Sequence, residues 1–394
     1  MKKPLHVLKF GGTSVGTIER IKMVAERVVQ IKESGINLVV VVSAMSGETN
    51  RLMSLAKEID AVPDARELDV LLSAGEQVSM SLLSMTLNNM GYKASSLTGG
   101  QAGIYTDNLH NDATIRNIKT DSINELLSDD QIVIVAGFQG INENGDITTL
   151  GRGGSDTTAV AIAGALQADE CQIFTDVDGI YTCDPRIVGD AKKLNIIDFP
   201  NMEEMARKGA KVLHLPCVVE AKGKSIPLRV RSSFSEDSGT LVKGSECLHG
   251  VCGIAIQKDL VFIHVDKLEF DGLVKQCRLL GIQVWTVIED TNRQGVVVKQ
   301  ESFDKIALVF GDKIRNSEQV SSLTCVGSKA EGIVQHSTEI LSENAIEIFA
   351  STTGQQFSML LLKLEVVERA ANIIHETFIV ARDLVEKQDK LAVI

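Results

Sequence analysis

Lys9 is next to last in a mainly apolar stretch, Leu5 to Phe10, which runs at once into Gly11-Gly12-Thr13-Ser14. A lysine at the C-terminal end of a sheet strand is costly unless it meets a ligand or snorkels to solvent. In an open α/β sheet that edge is where ligands bind. The loop has phosphate-loop character, but it is not GxxxxGK[ST], because its lysine precedes the glycines. A second cluster, Thr148 to Ala159, reads TTLGRGGSDTTA. Glycines allow close backbone approach, and a helix starting after them aims free N–H groups at an anion. Arg152 is shaped to grip a carboxylate or phosphate with two parallel hydrogen bonds. These letters fit an acidic small molecule meeting a phosphate, and they also describe a Gly-rich turn before a helix.

Other candidates surround these two. In SAMSGETN (43–50), Thr49 reaches a ligand or caps a helix running from Arg51. In LLSAGEQVS (71–79), Glu76 sits among apolar neighbours and wants a cation, which a substrate ammonium or a surface lysine would supply. Cys171 to Thr175 reads as a strand delivering Thr175-Asp176-Val177-Asp178-Gly179-Ile180-Tyr181. Two aspartates at a strand end suit a metal, a ribose hydroxyl or an adenine amine; an EF-hand is excluded because its other ligand positions are missing. Arg186 and Lys211 add cations suited to phosphates.

The elements that must hold these groups follow from periodicity. Leu5 to Phe10 and Asn37 to Val42 read as strands, the second apolar throughout, as in a strand covered on both faces. Between them Ile18, Ile21, Val24, Val28 and Ile31 repeat at helical spacing. This β-α-β unit predicts a parallel sheet. Asp69 to Leu87 and Met202 to Arg207 read as helices; Tyr92 to Leu97, Gln131 to Ala136 and Ile226 to Ser232 read as strands. Asn144-Gly145 marks a hairpin, and the polar run Phe234 to Leu241 marks a domain boundary.

With 394 residues the chain has room for two or three domains. A net charge of −12 argues against nucleic acid as a partner, while leaving room for one bound nucleotide. Seven cysteines without a Cys-x-x-Cys pair, and histidines without ligand spacing, fit free thiols of a cytoplasmic protein rather than a disulfide or zinc framework. The N-terminus has no signal-peptide core and no apolar run reaches membrane-spanning length, so no membrane partner is expected.

After about residue 248 strand-like runs alternate with helices. Gly253 to Gln257, Leu260 to Val265, Gln283 to Ile288, Gly295 to Lys299 and Lys305 to Phe310 read as strands around a helix at Asp271 to Leu280. A second set follows, with strands at Ser322 to Val326, Ile346 to Ala350 and Phe357 to Leu362, and helices at Gly332 to Asn344 and Val366 to Phe378. The pattern predicts paired ferredoxin-like modules of about 70 residues without a catalytic cluster. Their role would be dimer formation or the binding of a regulatory small molecule.

KFGGTS, SAMSGETN, LLSAGEQVS, TTLGRGGSD, FTDVDGIYTCDPR and GAKVLH, in this order, resemble the aspartate kinases of the amino-acid kinase superfamily over residues 5 to about 242. The last third resembles, more weakly, tandem ACT regulatory domains. The resemblance implies an α/β fold: a three-layer αβα kinase domain with a mainly parallel sheet at 1–243, then two βαββαβ ACT-type units at 244–394. It implies ATP-dependent phosphorylation of the L-aspartate side-chain carboxylate to 4-phospho-L-aspartate, with Mg²⁺ on the phosphates and no strong base, since the carboxylate is already ionised.

Matched motif by motif, Lys9 would stabilise the transferred phosphoryl group and Asp156 would orient Lys9. Gly11, Gly12 and Ser14 would cradle the phosphates. Arg152 would hold the aspartate α-carboxylate and Glu76 its ammonium, with Thr49, Phe138 and Ser155 lining the pocket. Thr175, Asp176, Tyr181, Arg186 and Lys211 would hold ATP. A homodimer or larger homo-oligomer and a lysine or threonine effector would complete the likeness. Three departures stand out: Leu215 intervenes in HLPC, Glu269-Phe270-Asp271-Gly272 lacks the family's proline, and the loop Val326 to Gly332 (VGSKAEG) lacks its Pro-Gly. The last two bear on the effector site, and altered or absent feedback is one expectation.

Overall fold

The structure is a computed structural model that describes residues 3–244, 250–289, 293–327 and 332–381. The chain packs as two compact units. One takes residues 1–180, 193–203 and 212–245; the other takes 181–192, 204–211 and 246–394.

In the first stretch of chain the elements are β1 (Leu5–Phe10), α1 (Ile18–Glu33), β2 (Asn37–Val42), α2 (Glu48–Ile59), α3 (Ala65–Asn89), β3 (Ala94–Leu97), β4 (Ile104–Thr106), β5 (Ile115–Ile118), α4 (Asp121–Ser128) and β6 (Ile132–Ala136). They continue as β7 (Gln139–Ile141), β8 (Ile147–Thr149), α5 (Gly154–Leu166), β9 (Glu170–Thr175), β10 (Ile196–Ile197), α6 (Phe199–Arg207), α7 (Leu215–Lys224), β11 (Leu228–Ser232) and β12 (Thr240–Val242). The main sheet has the order β10-β12-β11-β9-β1-β2-β6-β3. All its pairs are parallel except β11–β12. The polar run 234–241 therefore turns the chain back into this sheet as β12.

Strand alternation decides which side chains meet which helices. Leu8 and Phe10 of β1, Val40 and Val42 of β2, and Ile132 and Ile134 of β6 share a core with Ile21, Val24 and Val28 of α1 and Met80, Leu83 and Leu87 of α3. Lys9 has the opposite parity and points to the other face, where α5 packs. Helix α5 is alanine-rich and buried nearly all round, as expected of a core helix. Thr17 caps α1 by accepting from the Arg20 N–H. Helix α3 is long and apolar enough in composition to cross a membrane, contrary to the expectation that no run is. Its buried Met80, Leu83 and Leu87 lie in the sheet core. The Asn144-Gly145 signal corresponds to the antiparallel hairpin β7–β8, with Gly145 at φ 84°.

The second unit contains β13 (Val251–Val265), α8 (Phe270–Leu279), β14 (Val284–Glu289), β15 (Gln294–Lys299), α9 (Gln300–Phe310), β16 (Ile314–Gly327), α10 (Ile333–Glu343), β17 (Ala350–Thr353), β18 (Phe357–Leu362) and α11 (Val367–His375). They build one six-stranded sheet, β14-β15-β13-β16-β18-β17, antiparallel throughout. The two ferredoxin-like modules are nested rather than strictly successive. The first half of β13 pairs with the last half of β16, and the reverse, with a register shift between Gln257 and Leu260. One core gathers Val261, Ile263, Leu273, Val296, Ile306 and Phe310. A second gathers Ile254, Leu323, Leu341, Leu360 and Ile374, and takes Cys183 and Val188 from 181–192; a third gathers Leu260, Phe262, Val297, Val320 and Leu361.

Two strand expectations fail here. Lys305 to Phe310 is helical, the end of α9: Phe303, Ile306 and Phe310 recur at i, i+3 and i+7 and pack into the first of these cores. The strand expected at Ile346 to Ala350 begins only at Ala350. In the loop Val326 to Gly332, residues 328–331 lie outside the described residues.

Candidate active site

Parallel register brings the ends of five strands to one edge. Phe10 is level with Val42 and Phe174, Val42 with Ala136, and Thr175 with Ser232. The exit residues are then stitched together by backbone bonds: Gly11 N–H to Phe174 O (3.1 Å), Ser43 N–H to Phe10 O (3.1 Å), Gly137 N–H to Val42 O (3.0 Å) and Ser233 N–H to Thr175 O (2.9 Å). The glycine loop after β1 and the loops after β2, β6 and β9 leave the sheet here, whereas the Arg152 turn follows β8 of a separate four-stranded sheet, β5-β4-β7-β8.

Lys9 Nζ lies 2.6 Å from Asp156 Oδ1, with the two side chains 11% and 8% exposed. Asp156 sits in the first turn of α5, where the helix dipole also favours its negative charge. A Cβ on Gly11 would stand 3.5 Å from Lys9 Nζ, and one on Gly12 would stand 2.8 Å from Ala44 O. The two glycines thus let the loop pass between the lysine and the β2–α2 loop. Ser14 Oγ is 2.6 Å from Ser233 Oγ, both buried.

Glu76 is buried within α3. Its Oε1 accepts the Ala44 N–H at 3.0 Å, while Oε2, also buried, has no hydrogen-bond partner. Burial raises its pKa to about 7 against the opposing pull of the Ala44 N–H. A buried carboxylate oxygen left open in this way is an acceptor for a cation. Gly75 makes the contact possible: a Cβ there would fall 2.8 Å from the Ala44 Cβ and 3.6 Å from Glu48 Cγ. Thr49 is half-buried in the first turn of α2. That helix starts at Glu48 behind Gly47, so Thr49 is not the cap expected for a helix from Arg51.

Arg152 is exposed on the Gly-rich turn ahead of α5 and has no hydrogen-bond or ion-pair partner among the described residues. The turn is fixed by shape: Gly153 has φ 73°, and a Cβ on it would strike the His214 ring at 2.3 Å. Ser155 is buried against Gly137, whose Cβ would sit 2.8 Å from it. Phe138 holds a left-handed φ of 68°, which non-glycine residues adopt at a cost. Its N–H donates to Thr158 Oγ1 and its carbonyl accepts the Leu150 N–H, so the strained residue is bound to both ends of the Gly-rich turn.

Thr175 ends β9 and Asp176 follows it, with Thr175 Oγ1 donating to Asp176 Oδ1 at 3.1 Å. The other three expected nucleotide residues, Tyr181, Arg186 and Lys211, belong to the second unit. Arg186 forms a fork on Asp184, Nε to Oδ1 at 3.0 Å and NH2 to Oδ2 at 2.7 Å, and is exposed. Lys211 is exposed. Sequence reasoning missed Ser233, although two serines directly after a strand parallel to β1 were a usable signal. It also missed Asp69 and His110, which no motif marks.

Residues 4–232 match the model of the Amino acid kinase family. An aspartokinase of Geobacillus stearothermophilus is 41% identical over 96% of this chain and 98% of its own length. The chain belongs to the aspartokinases. An aspartate kinase of Pseudomonas fluorescens (strain SBW25) is 56% identical over 95% of this chain and 97% of its own. The structure of E. coli aspartokinase III in complex with aspartate and ADP superposes with a TM-score of 0.76 at 25% identity, covering 94% of this chain and 99% of that one. Like other aspartokinases, the chain uses ATP to phosphorylate L-aspartate to 4-phospho-L-aspartate, the first step of aspartate-family amino-acid biosynthesis.

Proposed function

We propose that the reaction is divided between two groups of residues at the sheet edge. Lys9, held by Asp156, neutralises charge on the phosphoryl group in flight, with Gly11, Gly12 and Ser14 donating to the phosphates. Glu76 receives the ammonium of aspartate and Arg152 its α-carboxylate, with Thr49, Phe138 and Ser155 as walls. Thr175, Asp176, Tyr181, Arg186 and Lys211 hold the nucleotide. The single observation that carries this reading is the open, buried Oε2 of Glu76, on a loop contact that also abuts Gly12. The acceptor carboxylate needs no base, so the protein's work is positioning and charge neutralisation.

Mg²⁺ asks for one or two carboxylates, with phosphate oxygens and water completing its shell. Asp176, exposed at the end of β9, fits that demand, whereas Asp156 is engaged by Lys9. When bound, the ion spreads the charge of the β- and γ-phosphates. The second unit, with its ferredoxin-like modules, is read as the seat of homodimer formation and of a lysine or threonine effector, in a cytoplasmic enzyme. Kinetics of Glu76→Gln test the central assignment: the KM for aspartate should rise at least about tenfold with the KM for ATP unchanged. A variant unchanged for aspartate contradicts it.

A further inference from the structure

Asp69 lies in the second turn of α3, wholly buried, and none of its contacts is with the residues assigned above. Its carboxylate gathers three groups. His110 Nδ1 is 2.6 Å from Oδ2, and because a carboxylate only accepts, that nitrogen carries the hydrogen. The Asn111 N–H donates to both oxygens at 3.1 and 3.2 Å. Thr149 Oγ1 donates to Oδ1 at 2.5 Å.

The placing of these partners is what matters. Thr149 ends β8, three residues before Arg152. His110 and Asn111 open the loop whose Asp112 presses on the far side of the turn: a Cβ on Gly151 would fall 2.6 Å from Asp112 Oδ1 and 3.6 Å from Asn111 O. The Ala113 N–H closes the ring by donating to Thr149 O at 2.8 Å. One buried carboxylate thereby ties the strand that delivers the Arg152 turn to the loop that backs it. Burying a charge of this kind is expensive unless it is fully hydrogen-bonded, and an apolar residue would pack α3 against β8 at less cost.

The geometry points to Asp69, acting with His110, as a positioning residue for Arg152. It fixes the height of the Gly151-Arg152-Gly153 turn, and so the place at which the guanidinium meets the α-carboxylate of the amino-acid substrate. This rests on the assignment of Arg152 to that carboxylate. A guanidinium fork is useful only when both N–H groups arrive in register, so small displacements of the turn weaken substrate binding while leaving the phosphoryl-transfer residues in place.

The test is steady-state kinetics of Asp69→Asn and His110→Ala, each alone and combined with Arg152→Ala, with amide hydrogen exchange over residues 148–154. Each single variant should raise the KM for aspartate about tenfold, with kcat and the KM for ATP within about twofold. On Arg152→Ala the further rise should be below about twofold, since the interaction they serve is already gone. Exchange across the turn should quicken about tenfold or more. Unchanged KM and exchange, a full additive effect on Arg152→Ala, or an equal loss in kcat and ATP binding each overturn the proposal. If Arg152→Ala itself leaves the KM for aspartate unchanged, the carboxylate assignment fails, and exchange alone then decides whether Asp69 holds the turn. Should Asp69→Asn not fold, His110→Ala, on the partly exposed side of the contact, carries the same test.

Discussion

Lys9 Nζ and Asp156 Oδ1 stand 2.6 Å apart, and little solvent reaches either side chain. The pair joins a central strand to the first turn of the helix behind it, so the cation is both shielded and aimed. Removing one partner of a buried pair strands the other, which costs about 3–5 kcal/mol, whereas an apolar replacement of both is often neutral. Lys9→Met should lower kcat at least about a thousandfold and destabilise the fold. Lys9→Met combined with Asp156→Leu should recover most of the stability and none of the activity. Denaturant titrations beside kcat values separate the two effects.

Glu76 should give the enzyme a pH signature. In the folded chain burial holds its pKa near 7, while an unfolded glutamate titrates at about 4.3. Between those values the folded state keeps a proton that the unfolded state has lost. Stability without aspartate should therefore fall as pH rises from about 4.3 to about 7, by about 4 kcal/mol in all, and stay level above. Glu76→Gln should remove that component of the slope, as read from thermal unfolding across the range. In activity, kcat/KM for aspartate should climb through an apparent pKa near 7 as the carboxylate ionises to receive the ammonium, and the variant should lack that limb.

Gly75 sets helix propensity against packing. Alanine inside a helix is favoured over glycine by about 1 kcal/mol. Here its Cβ would fall 2.8 Å from that of Ala44, the residue whose N–H Glu76 accepts. Overpacking should win: Gly75→Ala is expected to lose about 1–3 kcal/mol and to raise the KM for aspartate more than that for ATP. A stabilised variant with wild-type kinetics would contradict the close approach of α3 to the β2–α2 loop.

Arg186 is held by Asp184 in an exposed fork, and such surface pairs are worth about 0–1 kcal/mol. In the proposed nucleotide site a phosphate would have to compete with Asp184 for it. Asp184→Asn should lower the KM for ATP a few-fold, about what that energy allows, and Arg186→Ala should raise it. Identical ATP constants in both variants would remove Arg186 from the nucleotide site.

Where residues dictated their own structure, the reading from sequence stands. β1 and β2 have the bounds their apolar runs indicate, and the helical repeat of Ile18, Ile21, Val24, Val28 and Ile31 is α1. The glycine-rich turns were legible because only glycine tolerates what Gly153 meets. Short apolar runs were not: KIALVF fits a strand or a helix until Phe303 adds the third helical contact. The nesting of the C-terminal modules was hidden because one long strand, β13, looks like two short ones on either side of its register shift. Asp69 and His110 are 41 residues apart in the chain, and only the fold makes them neighbours.

ADP formation by the purified enzyme with MgATP, titrated with L-aspartate in wild type and Glu76→Gln, tests the division of labour most directly. The account predicts aspartate-dependent ADP release, with the variant needing at least about tenfold more aspartate at an unchanged KM for ATP. ADP release with the same aspartate dependence in both proteins would contradict it.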